Sequence, residues 1–166
     1  MKPLHLFALG AALALSACQQ QAEKPADPSP EAKPGLTLSD GHLTMPAVMG
    51  NPGAAYFTLK NGGDKPATLA AVFIDGAEKA EMHETKGGSM APLTALEVKA
   101  GEEVKFAPGG KHVMAFGLKP DLSPGSSVEV TLTFADGDKL SAPLKVEAPG
   151  GGMDHDMEGM DHGDGN

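Results

Sequence analysis

In this sequence, the side chains of two histidines and two methionines are the best suited to bind a soft metal ion. They are His83, Met90, His112 and Met114. A thioether is a soft, uncharged donor that competes poorly for calcium, magnesium or zinc, whereas copper(I) accepts both sulfur and imidazole nitrogen. The four side chains therefore predict a copper(I) site.

The spacing within this set indicates how the residues could meet. His112 and Met114 are two residues apart, so on a regular strand both side chains leave from the same face. Between His83 and Met90, the pair Gly87-Gly88 predicts a flexible loop that lets the thioether fold back over the imidazole. Because all four donors are neutral, bound copper(I) would keep a single positive charge, which favours the reduced ion in a buried site.

A structural role is the alternative for each of these residues. Methionine commonly fills hydrophobic cores, and Met82, Met90 or Met114 could each do so. A single histidine is more often a hydrogen-bonded surface residue than a ligand. The metal hypothesis therefore depends on the joint pattern.

The elements that must position the site are short β-strands. Between residues 36 and 146, runs of alternating apolar and polar residues are separated by turns rich in Gly, Pro, Asn and Asp. We predict an all-β, Greek-key sandwich of seven to nine strands, within a domain spanning residues 36–148, with a small closed barrel as the alternative. The predicted strands are 55–60, 68–74, 81–85, 93–99, 103–107, 111–118, 127–134 and 140–146.

The N-terminal segment predicts export and lipid attachment. Lys2 precedes an apolar run over residues 6–15, so residues 1–17 are predicted to be a signal peptide. The junction Leu15-Ser16-Ala17-Cys18 resembles the lipobox of bacterial lipoproteins, in which the cysteine is lipidated; a soluble export signal with a chance cysteine is the alternative. Residues 18–35 are then predicted to be the anchor and a proline-rich flexible linker.

Composition excludes several function classes. Cys18 is the only cysteine and lies outside the domain, so the chain has neither an internal disulfide nor the thiolate that blue-copper electron carriers use. The net charge is −9, and all 13 basic residues are lysine, which argues against a nucleic-acid partner. Because the sequence lacks the common hydrolase and phosphate-binding motifs, we predict that it is not an enzyme.

The ligand pattern also resembles a known family. Met82-His83, then Met90, then twenty-one intervening residues and His112-Val113-Met114 resemble the signature of the PCu(A)C periplasmic copper chaperones. The first spacing departs from that signature, since six residues rather than about ten separate His83 from Met90. Residues 53–61 and 108–112 extend the resemblance.

The resemblance implies a cupredoxin-like, exported protein of the periplasm or cell envelope that binds copper(I) through His83, Met90, His112 and Met114. It further implies delivery of that copper for assembly of the dinuclear centre of cytochrome c oxidase. The expected partner is an oxidase subunit or another copper chaperone, and we expect a monomer that contacts the membrane only through its lipid. A copper-sequestering lipoprotein without dedicated transfer is the alternative, and a metal-free lipoprotein with methionines in its core is a third possibility.

Family members with a Met/His-rich C-terminal extension use it as an additional copper site, and residues 149–166 resemble such a tail. Its carboxylates and imidazoles suit copper(II) and its thioethers suit copper(I); an acidic solubilising end is the alternative. The expected tail ligands are Met153, His155, Met157, Met160 and His162.

Near the start of the domain the family's usual aromatic residue and arginine are absent. His42, Met45 and Met49 occur there instead. We expect all three to be structural, with Met45 or Met49 as alternative residues lining the site.

Overall fold

The computed structural model describes residues 33–150. The predicted signal peptide, Cys18, most of the linker and the five expected tail ligands lie outside this range. The described segment contains no helix long and apolar enough to cross a membrane. Its ten strands are β1 (Leu36–Thr44), β2 (Gly53–Asn61), β3 (Ala67–Ile74), β4 (Lys79–Lys86), β5 (Ser89–Pro92), β6 (Leu96–Val98), β7 (Glu103–Phe106), β8 (Lys111–Phe116), β9 (Ser127–Phe134) and β10 (Lys139–Glu147).

All ten strands belong to one hydrogen-bonded sheet that curls on itself. The strand order is β5-β4-β8-β7-β2-β1-β10-β9-β3-β6, with an additional pairing of β8 with β2. Strands β1 and β10 pair in parallel, as do β7 and β8. Strands β3 and β4 contact each other without being paired, which shows the two halves of the sheet facing one another. The all-β class is as predicted, and the strand count exceeds the predicted range because β1 and β5 were not expected.

Strand β1 was not predicted, because the sequence Ser39-Asp40-Gly41 in its middle is typical of a turn. The strand instead continues through a bulge, where its register on β2 shifts between Ser39 and His42. Asp40 has a φ of 56°, and a Cβ on Gly41 would lie 2.8 Å from a methyl carbon of Leu144. Asp40 and Gly41 therefore form a β-bulge that bends the strand and do not end it.

The hydrophobic core lies between the two halves of the curled sheet. Alternate residues of β2 point into it, and the Phe57 ring stacks on Phe106 with centroids 4.4 Å apart. In the middle of the two strands that carry the predicted ligands, Met82 of β4 and Val113 of β8 are buried in the same core. The neighbouring positions His83 and His112 consequently lie on the opposite face of these strands.

Strands β4 and β5 form a tight hairpin at one edge of the sheet. Lys86 pairs with Ser89, and the two intervening residues, Gly87 and Gly88, have φ values of 59° and 80°. Positive φ at both positions is what a two-residue type I′ turn requires. The expectation of a flexible loop between His83 and Met90 was wrong, because this turn holds Met90 on a strand in fixed register.

The start of the described chain is fixed to the turn between β9 and β10. The Lys33 ammonium hydrogen-bonds to the carboxylates of Asp136 and Asp138, and it lies 5.3 Å from the centroid of the Phe134 ring. The bond from Lys33 is the main cause that lowers the pKa of the Asp136 carboxyl below its usual value. These contacts define where the chain from the N-terminal segment enters the domain.

Replacing Lys33 should therefore destabilise the domain in a pH-dependent way. A carboxyl whose pKa is depressed by folding contributes stability above its ordinary pKa of about 4, and that contribution is lost as pH falls through the depressed value. We expect the urea midpoint of Lys33→Met to lie below that of wild type at about pH 7, with the gap narrowing toward about pH 2. Lys60→Met, at an exposed position on β2, is the control, and a gap that stays constant with pH would contradict the proposed ion pairs.

Candidate metal centre

The pairing of β4 with β8 places the two predicted histidine ligands side by side. His83 is directly opposite His112 in the antiparallel register, and the two ring centroids are 5.9 Å apart. With a metal–nitrogen bond of about 2.0 Å, each centroid lies roughly 3 Å from a shared ion, so two rings can share one only up to a separation of about 6 Å. The observed separation meets this condition.

Met90 completes a three-residue cluster with the histidines. Its sulfur lies 3.2 Å from Nε2 of His112. Nitrogen and sulfur donors on one tetrahedral ion are expected about 3.5 Å apart, from bonds of about 2.0 and 2.3 Å. The two atoms are thus close to the separation that a shared ion would impose.

The ring of His112 is held by the backbone just before its strand. Its Nδ1 lies 3.0 Å from the carbonyl oxygen of Gly110. A carbonyl can only accept, so Nδ1 carries the proton and, in the neutral ring, Nε2 carries the lone pair that faces Met90. Although His112 is on the face away from the core, only 7% of it is exposed.

His83 has one satisfied and one unsatisfied ring nitrogen. Its Nε2 lies 3.3 Å from Oε2 of Glu81, whereas Nδ1 is buried and has no hydrogen-bond partner. An unpartnered buried polar atom is costly in a folded protein. A bound metal ion would give this nitrogen a partner, so the residue fits a ligand role.

Met114 occupies the next position on the same face of β8. It is directly opposite Glu81 of β4, half-buried, and two residues beyond His112. Its backbone position therefore borders the cluster formed by His83, His112 and Met90. The sulfur in contact with Nε2 of His112 is that of Met90 and not that of Met114.

The other histidine and methionine candidates lie elsewhere. Met82 and Met45 are in the core, with 4% and 7% exposure. His42 packs on Tyr56 with ring centroids 5.2 Å apart. Met49 is 56% exposed in the segment between β1 and β2. The burial of Met45 and the packing of His42 fit the expected structural role, and Met82 packs in the core. That Met45 or Met49 lines the site stays a prediction.

Charged residues around the site are paired with one another. Glu81 bonds to Lys79 at 2.6 Å, and Glu84 bonds to Lys111 at 2.8 Å. The pKa of each glutamate is lowered, chiefly by the hydrogen bond from its lysine. Residues 33–150 contain no group of three or more His, Cys, Asp or Glu side chains arranged to hold a metal.

Two groups that hold the histidine rings, the Gly110 carbonyl and the Glu81 carboxylate, were not predicted from the sequence. The hydrogen bond from His112 to the Gly110 carbonyl could not be predicted, because it depends on the path of the backbone before β8 and not on a residue type. Glu81 could have been predicted, since a residue two positions before His83 on a strand shares its face. Its carboxylate is the side-chain group that contacts the ring of His83 through a hydrogen bond.

Comparison with known proteins identifies the class. Residues 36–146 match the family described as "Putative lipoprotein LpqE-like", and the chain belongs to that family. It is 31% identical over 143 residues to "Putative lipoprotein Lxx21020" of Leifsonia xyli subsp. xyli, covering 83% of this chain and 81% of that protein. It is also 28% identical over 98 residues to "Uncharacterized protein RP573" of Rickettsia prowazekii, covering 56% and 54%.

Solved structures confirm the fold. The copper-bound PCuAC domain from PmoF2 matches with a TM-score of 0.62 and 22% identity, over 73% of this chain and 99% of that domain. The solution structure of CuI-DR1885 from Deinococcus radiodurans matches with a TM-score of 0.59 and 27% identity, over 70% of this chain and 80% of that one. The predicted cupredoxin-like fold and the resemblance to PCu(A)C proteins are confirmed. Both of these structures contain copper, the metal expected from the sequence.

Two Met→Leu substitutions should separate a ligand from a core residue. Met90→Leu removes a thioether that is 54% exposed, so copper(I) affinity should fall at least about tenfold while stability changes by less than about 0.5 kcal/mol. Met82→Leu removes a buried thioether and should cost less than about 1.5 kcal/mol in stability without changing affinity. Competition against a copper(I) chelator and urea unfolding measure the two effects, and equal affinity in both variants would contradict the assignment of Met90.

Proposed function

We propose that this protein is an exported copper chaperone that binds copper(I) through His83, Met90, His112 and Met114 and delivers it to a copper-accepting protein. The observation that carries the proposal is the convergence of two imidazoles and one thioether from β4, β5 and β8. Met114 supplies the fourth donor from the same face of β8.

The donor set favours copper(I) over the other metals of the cell envelope. Hard cations require oxygen ligands, and zinc sites are built from thiolate, imidazole and carboxylate groups. Two neutral imidazoles and two neutral thioethers leave copper(I) with one positive charge in a largely covered site, where a divalent ion would leave two. Because Glu81 and Glu84 are paired with lysines, they add little net negative charge that would favour a divalent ion.

The unequal exposure of the ligands suggests how copper leaves the site. His112 is 7% exposed and Met90 is 54% exposed at the edge strand β5. The thioether is therefore the donor that an incoming ligand can displace first. A thiolate of the acceptor is softer and anionic, so exchange of Met90 for it is favourable, and the ion can then leave the imidazoles in turn.

Attachment to the cell envelope is a further part of the proposal. The lipobox-like junction at Cys18, after a signal peptide at residues 1–17, supports it, and a relative's name includes the word lipoprotein. Residues 18–35 would be the linker, and residues 36–148 the copper-binding domain. The cell compartment would be the periplasm or the envelope surface facing it.

We also propose a second copper site in the tail, formed by the Met-Asp-His repeats of residues 149–166. Strand β10 ends at Glu147, opposite Thr44, and Thr44 is opposite Ala54, which pairs with Met114. Glu147 is therefore level with Met114 and three strand spacings from it, about 14 Å across the sheet. Copper captured by the tail would have a short path to His112 and Met114.

Copper(I) titration of two chains tests the two sites. The lipid-free mature chain should bind more copper than a chain ending at Pro149, which should retain one high-affinity ion. His112→Ala in the shorter chain should abolish that ion, because it removes the imidazole that contacts Met90. An unchanged high-affinity stoichiometry in His112→Ala would contradict the core site, and equal stoichiometry in the two lengths would contradict the tail site.

Delivery for assembly of the cytochrome c oxidase copper centre is the function that the family resemblance favours. Mixing copper(I)-loaded protein with the apo copper-binding domain of an oxidase subunit should transfer the ion faster than a chelator withdraws it from the protein alone. That result requires direct ligand exchange between the two proteins. Retention of copper by the chain would instead support sequestration, in which the protein protects the cell from excess metal.

A further inference from the structure

We propose that Glu81 is a positioning residue that keeps the proton of His83 on Nε2 and so presents Nδ1 as the copper ligand. This inference rests on the proposed copper site. It assigns a role to a residue outside the four donors, and it predicts that the two histidines bind through different ring nitrogens.

The geometry of β4 brings the carboxylate to the ring. Glu81 and His83 are two residues apart on one strand, so their side chains share a face. Oε2 of Glu81 lies 3.3 Å from Nε2 of His83. An ionised carboxylate can only accept a hydrogen bond, so the nitrogen must be the donor. In the neutral ring the lone pair is then on Nδ1.

A lysine holds the carboxylate in this orientation. Lys79 lies a further two residues back on the same face, and its ammonium is 2.6 Å from Oε1 of Glu81. The two oxygens of Glu81 thus have different partners, Lys79 on one and His83 on the other. Across the strand pair, Glu81 is opposite Met114, so the carboxylate belongs to the border of the site.

The unsatisfied nitrogen supports the same assignment. Nδ1 of His83 is the only buried side-chain nitrogen or oxygen within residues 33–150 that has no hydrogen-bond partner. The tautomer imposed by Glu81 gives this atom a lone pair and no proton, which is the state that a metal ion requires.

The ring of His112 is held through its other nitrogen, and by the backbone instead of a side chain. Its Nδ1 donates to the Gly110 carbonyl, which leaves Nε2 facing the sulfur of Met90. The site therefore has one imidazole fixed by a side chain and the other by the backbone. Substitution can remove the first of these supports without altering the second.

Histidine tautomers in the metal-free chain provide the first test. Long-range ¹⁵N–¹H NMR spectra at about pH 8, where imidazole is normally neutral, distinguish the protonated nitrogen from the unprotonated one. Wild type should show His83 protonated at Nε2 and His112 protonated at Nδ1. Glu81→Ala should leave His112 unchanged and convert His83 to a mixture of tautomers. A wild-type His83 protonated at Nδ1 would overturn the proposal.

Copper(I) affinity provides the second test, with Glu84→Ala as the matched control. Both substitutions remove a lysine-paired glutamate from β4, but Glu84 is on the opposite face and bonds to Lys111. Glu81→Ala should lower affinity about 10- to 100-fold, the range for residues that orient a metal-bound histidine. Glu84→Ala should change the affinity less than about threefold, because it removes a carboxylate charge but leaves the hydrogen bond from His83 to Glu81 in place. Equal losses in the two variants would overturn the positioning role.

The two tests also separate this inference from the proposed function. If the wild-type chain failed to bind copper(I), the proposed function would fail, and the NMR spectra would still report whether Glu81 fixes His83. If copper bound normally and the His83 tautomer did not respond to Glu81→Ala, the positioning role alone would fail. Amide spectra of both variants that match wild type outside β4, β5 and β8 establish that the fold is retained.

Discussion

The antiparallel register of β4 against β8 is the constraint on which the site depends. Met82 and Val113 face each other in the core, so the next pair outward is His83 with His112. A shift by one residue would exchange the faces, burying an imidazole and exposing two core side chains. The hydrophobic core therefore enforces the meeting of the two histidines, and the stability of the sandwich and the geometry of the ligands have the same origin.

The electrostatic character of the site follows from how its polar groups are paired. Thioethers and neutral imidazoles bring no charge, and each nearby glutamate bonds to a lysine two residues before it or on the neighbouring strand. A monovalent ion can then be covered by protein at a moderate desolvation cost, whereas a divalent ion would need anionic donors. At the proposed site, selectivity for copper(I) would arise from the paired charges around the donors as well as from the donors themselves.

Much of this arrangement could be predicted from residue types and periodicity. The alternation in β8 placed His112 and Met114 on one face, and the all-β class followed from short patterned strands. The path of Met90 could not be predicted, because Gly87-Gly88 is compatible with both a flexible loop and a tight hairpin, and only the pairing of Lys86 with Ser89 distinguishes them. Likewise, Asp40-Gly41 has the local signature of a turn, and it forms a bulge because the flanking residues pair with β2.

The contacts of Lys33 determine where the linker joins the domain. They fix the entering chain to the turn between β9 and β10. In the strand order, β1, β2 and β7 lie between β10 and the ligand-bearing strands β8, β4 and β5. The linker would therefore join the sheet away from its β5 edge, so that an acceptor protein could reach Met90 without displacing the linker.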